Sequence, residues 1–236
     1  MTTEQPLLSD FPKLECPFIR RTYPIDRDDF KRHGSTLKLR EPVVYVVENQ
    51  INPGYEWVFE DPDTFAVEKL DGTNVKLKCE GGRLVALQNR KNVIDPLQIG
   101  HGKTFIVEGV LRSLQKDWIY PDGEQCGEVL GPKLQGNPYK LTDHVWYPFD
   151  LAVKQLRYKS FEKYERTFDN WSAWFKDYLF SLFYCSSHKV VHKDCDVMAE
   201  GVIFYNLKRR EQRKPYMAKL RRDMFRWYYE DKVRIQ

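Results

Sequence analysis

The sequence predicts an α+β fold, with antiparallel strands and helices packed outside them. Three observations predict it: short β-branched and aromatic runs recur through the middle of the chain, turn dipeptides separate several of them at hairpin spacing, and an apolar stripe of helical period follows. At 236 residues the chain suits a single domain, 1–236, rather than two large ones, and it can bury a proper core.

The elements follow in order. Residues 1–40 are polar and punctuated by Pro6, Pro12, Pro17 and Pro24, so they read as an irregular lead-in with one short helix around Asp28 to Arg32. Strand signals begin at Pro42 to Val47 and continue at Trp57 to Phe59, Phe65 to Glu68, Val75 to Lys78, Leu84 to Leu87 and Phe105 to Glu108. Asn52-Pro53-Gly54, Asp71-Gly72 and Gly81-Gly82 supply the turns. Val145 to Leu151 and Gly201 to Tyr205 add two short strands. Between them Phe161, Tyr164, Phe168, Trp171, Phe175, Tyr178 and Leu182 recur at steps of three and four, predicting one continuous helix with a core-facing stripe. A second helix is expected from about Lys219, with Leu220, Met224, Trp227 and Tyr228 on one side. No internal repeat is present.

Composition excludes several classes. Hydrophobic residues at 42% and aromatics at 14% belong to a folded chain, not a disordered one. The net charge of +4 is modest but uneven: Leu207 to Gln236 holds 11 Lys or Arg against 4 Asp or Glu, so this tail is +7 and the remainder −3. A polyanion would meet the C-terminal segment first; the plainer reading is a solvated basic helix face. Five irregularly spaced cysteines do not make a secreted disulfide framework. The start lacks the basic and apolar regions of a signal peptide, and no apolar run approaches the roughly 20 residues of a membrane span. A cytosolic or nuclear location is the expectation, with no membrane partner. Cys185-Ser186-Ser187-His188 followed by His192-Lys193-Asp194-Cys195 has metal-like pairs, but their separation is far tighter than a zinc finger loop, and a helix end followed by a polar loop is the plainer reading.

The segment that carries chemistry is Glu68-Lys69-Leu70-Asp71-Gly72-Thr73-Asn74, between two strand-like runs. Alone it reads equally as a charged hairpin turn. Downstream, however, stand Asn89-Arg90-Lys91, Val107-Glu108-Gly109, Tyr147-Pro148-Phe149-Asp150-Leu151, Glu200-Gly201-Val202-Ile203-Phe204 and Ala218-Lys219-Leu220-Arg221. In this order the segments resemble motifs I, Ia, III, IIIa, IV and V of the covalent nucleotidyltransferases, the ATP-dependent ligases and mRNA capping enzymes. Gly72-Thr73-Asn74 is most similar to the RNA ligase 2 branch.

That resemblance implies an α+β nucleotidyltransferase domain of the ATP-grasp-like ligase kind, antiparallel sheets around a nucleotide cleft. It implies an ATP-dependent RNA ligase in which Lys69 attacks the α-phosphorus, assisted by Lys219 and Glu200. A lysine becomes nucleophilic when its neutral form is favoured, and phosphoryl chemistry rests on positioning, cations and a divalent ion. By the same resemblance Glu200 holds Mg2+ or Mn2+; Glu68, Arg90, Glu108, Phe149, Lys219 and Arg221 contact ATP; Thr73 and Asn74 place the 5′-phosphate of an RNA whose 3′-hydroxyl is sealed to it. The match departs from the family pattern at two positions: Asp71 stands where the RNA ligase 2 branch commonly has histidine, and Arg221 replaces the second lysine of motif V. The roughly 15 residues after Arg221 are too few for a C-terminal OB-fold. Two rivals stay open, a GTP-dependent capping-type guanylyltransferase and a non-catalytic RNA-binding protein on a ligase scaffold.

Overall fold

The structure, a computed structural model, describes Leu8 and residues 13–90, 92–95, 104–114, 121–209 and 216–236. The elements run β1 (Phe18–Pro24), α1 (Arg27–His33), β2 (Val43–Ile51), α2 (Trp57–Glu60), β3 (Phe65–Lys69), β4 (Thr73–Glu80), β5 (Arg83–Asn89), β6 (Asn92–Val93), α3 (Thr104–Leu114), β7 (Gly123–Leu130), β8 (Val145–Pro148), α4 (Phe149–Gln155), α5 (Phe168–Asp177), α6 (Leu182–His188), β9 (Gly201–Tyr205), β10 (Met217–Arg221) and α7 (Trp227–Glu230). Among the described residues every strand pairing is antiparallel, and the α+β class expected from the sequence is what the chain forms. Among the described residues no helix is long and apolar enough to cross a membrane.

The chain divides into two compact units. One comprises Leu14–Lys69, Tyr158–Ser181 and Met198–Gln236 and contains two sheets, β1-β2 and β10-β9-β3. The other includes Leu70–Arg157 and Leu182–Val197 and contains the sheet β6-β5-β4-β7-β8.

In the two-sheet unit, alternation sorts the residues of β3, β9 and β10 between faces. Ala66, Glu68, Val202, Phe204, Ala218 and Leu220 turn inward and are buried. They meet an aromatic core in which Trp171 stacks on Phe59 at 4.8 Å and on Phe204 at 4.9 Å between ring centroids. A second cluster, Ile25, Val44, Val46, Tyr229 and Val233, lies under β1-β2. In the five-stranded unit, Val75, Leu77, Leu87, Val129 and Trp146 face Ile106 and Val110 of α3. The β4–β5 hairpin turns at Gly81 and Gly82, both at positive φ (56° and 71°). Asp122 accepts both of their N–H groups, which holds its carboxyl below the ordinary range.

Several expected elements differ. Trp57 to Phe59 forms the helix α2, not a strand, because Trp57 and Val58 are both buried where alternation would send one to solvent. Phe105 to Glu108 lies inside α3, where the buried pair Ile106 and Val110 is four residues apart. Val145 to Leu151 is strand only to Pro148 and helix from Phe149. The stripe from Phe161 to Leu182 is a 3-10 turn, α5 and α6, because Thr167 caps a fresh helix start by accepting from Asn170 N–H and the chain around Tyr164 is extended. Met217–Arg221 is strand β10, not a helix start; Ala218 and Leu220 are buried and their neighbours are not, which is period two. Within the lead-in β1 went unforeseen, while α1 falls where a short helix was expected.

Candidate active site

The three-stranded sheet places the key side chains by register alone. Lys69 of β3 and Arg221 of β10 both pair with Gly201 of β9, so the three residues form one row across the sheet. Lys219 stands two residues back on the same face, opposite Ile203. Gly201 can only be glycine: a Cβ there would lie 2.2 Å from Leu220 O and 2.7 Å from the Arg221 Cα. Glu200, just before β9, accepts Arg222 N–H through its carbonyl at 2.9 Å, which fixes where its side chain starts.

Around Glu200 the charges converge. Its Oε2 lies 2.5 Å from Lys69 Nζ and its Oε1 3.5 Å from Arg221 Nη1, with the Lys69 and Glu200 side chains 24% and 18% exposed. Arg221 Nε is also 3.0 Å from Asp223 Oδ1. Burial raises the Asp223 carboxyl above its ordinary value, with Arg221 drawing it back and Glu200 adding to the rise. Lys69 and Arg221 thus meet at one carboxylate, and Lys219 shares their sheet face, so this face gathers positive charge of the kind that attracts an anion.

Glu68 is placed differently. It points away from Lys69 into the core, 2% exposed, where Ser181 Oγ donates to its Oε1 at 2.6 Å.

In the five-stranded unit the remaining expected residues separate. Asn74, Glu128 and Tyr147 form a row across β4, β7 and β8 on the face that also carries Lys76 and Cys126. Thr73 faces the other way; Asn89 Nδ2 donates to Thr73 Oγ1 at 2.8 Å and to Asn74 O at 2.7 Å, so Asn89 ties this strand start. Arg90 is exposed at a φ of 51° directly after β5, and Lys91 of the same motif lies outside the described residues. Phe149 is half-buried at the start of α4, whose flanking Pro148 precedes the helix. Glu108 is not on the Asn74 face: α3 packs against the opposite, apolar face, and Glu108, 57% exposed, pairs with buried His144 at 3.3 Å. Sequence reasoning named Asn89 within its motif without giving it a role, and missed Glu128 and Asp223. For Glu128 a signal existed in the alternation of Glu124, Cys126 and Glu128 with Gly127 and Val129; for Asp223 there was none.

Among the described residues no group of three or more His, Cys, Asp or Glu could hold a metal. Cys185 and His188 sit on α6, His192 and Cys195 in and after the 3-10 turn that follows, as the plainer reading of that stretch expected.

A model of the RNA ligase family matches residues 63–221, and the chain belongs to that family. The chain is similar to a Naegleria gruberi RNA ligase mutant solved with ATP and Mn, at 14% identity and a TM-score of 0.45, covering 97% of this chain and 63% of that one. It is also similar to the same organism's RNA ligase solved with PPi, at 16% identity and a TM-score of 0.43, covering 71% of this chain and 51% of that one. The chain thus spans between about half and two thirds of the length of these solved ligases. No curated protein sequence matches it.

Proposed function

We propose that the protein is an ATP-dependent RNA ligase that works through a lysyl-AMP intermediate on Lys69. The observation that carries this is the 2.5 Å approach of Lys69 Nζ to Glu200 Oε2 on a sheet face that also presents Arg221 and Lys219; membership of the RNA ligase family supports it. Attack needs a neutral amine, and Glu200 Oε2 is placed to take the proton. Lys69 Nζ then bonds to the α-phosphorus as the bond to the β-phosphate oxygen breaks and pyrophosphate leaves. In the second step a 5′-phosphate oxygen of RNA displaces the lysine, forming a 5′-5′ pyrophosphate link to AMP. In the third a 3′-hydroxyl attacks that 5′-phosphorus and AMP departs. Lys219 and Arg221 hold phosphate oxygens through charge, Arg221 by its fork.

A divalent ion fits on the same terms. Glu200 offers hard oxygen, and among the described residues no group of three or more His, Cys, Asp or Glu makes an all-protein cage; Mg2+ and Mn2+ keep waters and take phosphate oxygens. Bound there, it would neutralise developing charge on the phosphates. For the RNA end and the nucleoside, Asn74 and Glu128 share one sheet face, and Glu128 is the carboxylate to test in place of Glu108. The nucleotide roles proposed for Arg90 and Phe149 rest on the motif resemblance, and Thr73 is proposed to act beside Asn74 through the Asn89 bond.

Incubation with ATP labelled at the α-phosphate tests the reading. Wild type should take covalent label only with a divalent ion present, and Lys69→Ala should take none. Label from GTP alone would point to the capping-type reaction; no label from either, with RNA still bound, would leave a non-catalytic scaffold.

A further inference from the structure

Arg221 ends β10 in the row of Lys69 and Gly201, and carboxylates stand on two sides of it. A guanidinium carries its five N–H groups in a fixed planar fork, so whatever holds the Nε edge decides where both Nη groups point. At that edge stands Asp223, on a 3-10 turn, Arg222–Met224, that is fastened at several points. Arg222 N–H donates to Glu200 O at 2.9 Å, Arg222 Nε–H donates to Phe175 O at 2.8 Å, and Tyr229 Oη donates to Asp223 O at 2.7 Å. The carboxylate therefore sits on a rigid seat. Its Oδ1 is buried 3.0 Å from Arg221 Nε, although the two do not meet at a good hydrogen-bonding angle. A buried carboxylate costs stability unless a cation accompanies it, and Arg221 is that cation.

We propose that Asp223 is a positioning residue that holds the Nε edge of Arg221, so that the Nη groups face Glu200 and the phosphate of the bound nucleotide. This rests on the reading of Arg221 as a phosphate contact; Asp223 acts through Arg221 alone.

Two readouts on the full chain separate this inference from the reading beneath it. The first needs no nucleotide: the Arg221 Nε–H signal, assigned in 15N spectra by its loss in Arg221→Lys, should be protected from solvent exchange in wild type and lose that protection in Asp223→Ala. An unprotected signal in wild type overturns the proposal whatever the enzyme does. The second is the kinetics of Lys69 labelling. Asp223→Ala should raise KM for ATP about tenfold while kcat changes less than about threefold. Asp223→Asn, which keeps an acceptor oxygen, should stay within about threefold of wild type, and Asp223→Ala should add less than about twofold to Arg221→Ala. A wild-type KM in Asp223→Ala, or a full further loss in the Arg221→Ala background, overturns the proposal. Asp223→Ser, also lacking the carboxylate, stands in if the alanine variant shows no thermal transition. A protected, Asp223-dependent Nε–H in a protein that takes no label from ATP would leave the positioning intact and remove the nucleotide reading instead.

Discussion

Lys69 and Glu200 are 131 positions apart in sequence and 2.5 Å apart in space. Only β3–β9 pairing brings them together: Lys69 registers with Gly201, and the preceding residue falls beside the amine. Glu200→Gln keeps the shape and a hydrogen-bonding oxygen but discards the charge. It should leave the thermal midpoint near wild type and cut Lys69 labelling about 100-fold or more, the scale of losing one preorganised electrostatic contact in an active site. Labelling within a few-fold of wild type would exclude Glu200 as proton acceptor. Arg221, meanwhile, is more than a substitute for lysine. It reaches Glu200 and Asp223 at once, which one ammonium could do only by forfeiting the fork.

At the scale of elements, β10-β9-β3 shows what was readable beforehand. β3 and β9 stood out through unbroken apolar runs beside their motif residues, and both formed as expected. β10 did not, because Ala218-Lys219-Leu220 fits a helix or a strand until its alternating burial is known. Similarly β7, with Gly123 and Gly127 and few β-branched residues, was not read as a strand despite its weak alternation, and with it went Glu128. Motif order singled out the residues proposed to carry chemistry; their faces it could not give, since a face depends on register with strands far away in sequence. Gly201→Ala tests the register directly. Its Cβ would meet backbone atoms at 2.2 Å, so the variant should lose about 1 to 3 kcal/mol in chemical denaturation and label more weakly. Unchanged stability would mean that β9 and β10 cross less closely.

A second element-scale test concerns α1. Asp29, 9% exposed in its side chain, is held by Arg234, whose Nε lies 2.9 Å away, and by Arg32. The Arg234 hydrogen bonds lower its carboxyl from the ordinary 3.8 to about 2. A depressed carboxylate contributes stability that is whole above its unfolded value and is lost as pH falls through the folded one. Asp29→Asn should accordingly be less stable than wild type at pH 7, and the gap should close between about pH 4 and pH 2. A gap that stays constant with pH would assign the effect to packing instead.

Across the whole molecule, charge is more local than the sequence suggested. Among the described residues of the +7 tail, several cations meet carboxylates of their own unit: Lys208 with Asp63, Arg209 with Asp61, Arg221 with Glu200 and Asp223, Arg226 with Glu230, and Arg234 with Asp26 and Asp29. Such pairing engages part of the segment's positive charge within the chain, although each exposed pair contributes little stability. Each compact unit also has its own core, around Trp171 in one and Trp146 in the other. Trp171→Ala and Trp146→Ala should each cost about 3 to 5 kcal/mol, and hydrogen exchange should quicken mainly in the unit that was altered. Equal acceleration in both units would show that they open together.

The loop leading into β3 is templated by one guanidinium. Arg166 Nη1 donates to Asp61 O at 2.6 Å and faces Val58 O and Phe59 O at 3.4 and 3.5 Å, while Nη2 donates to Thr64 O at 3.2 Å. Its burial disfavours the charge, yet the carbonyls it serves would otherwise need water. A library that randomises this position should return arginine almost alone, since lysine brings a single ammonium to a curved rim of acceptors; engineering of the approach to Lys69 has to begin elsewhere.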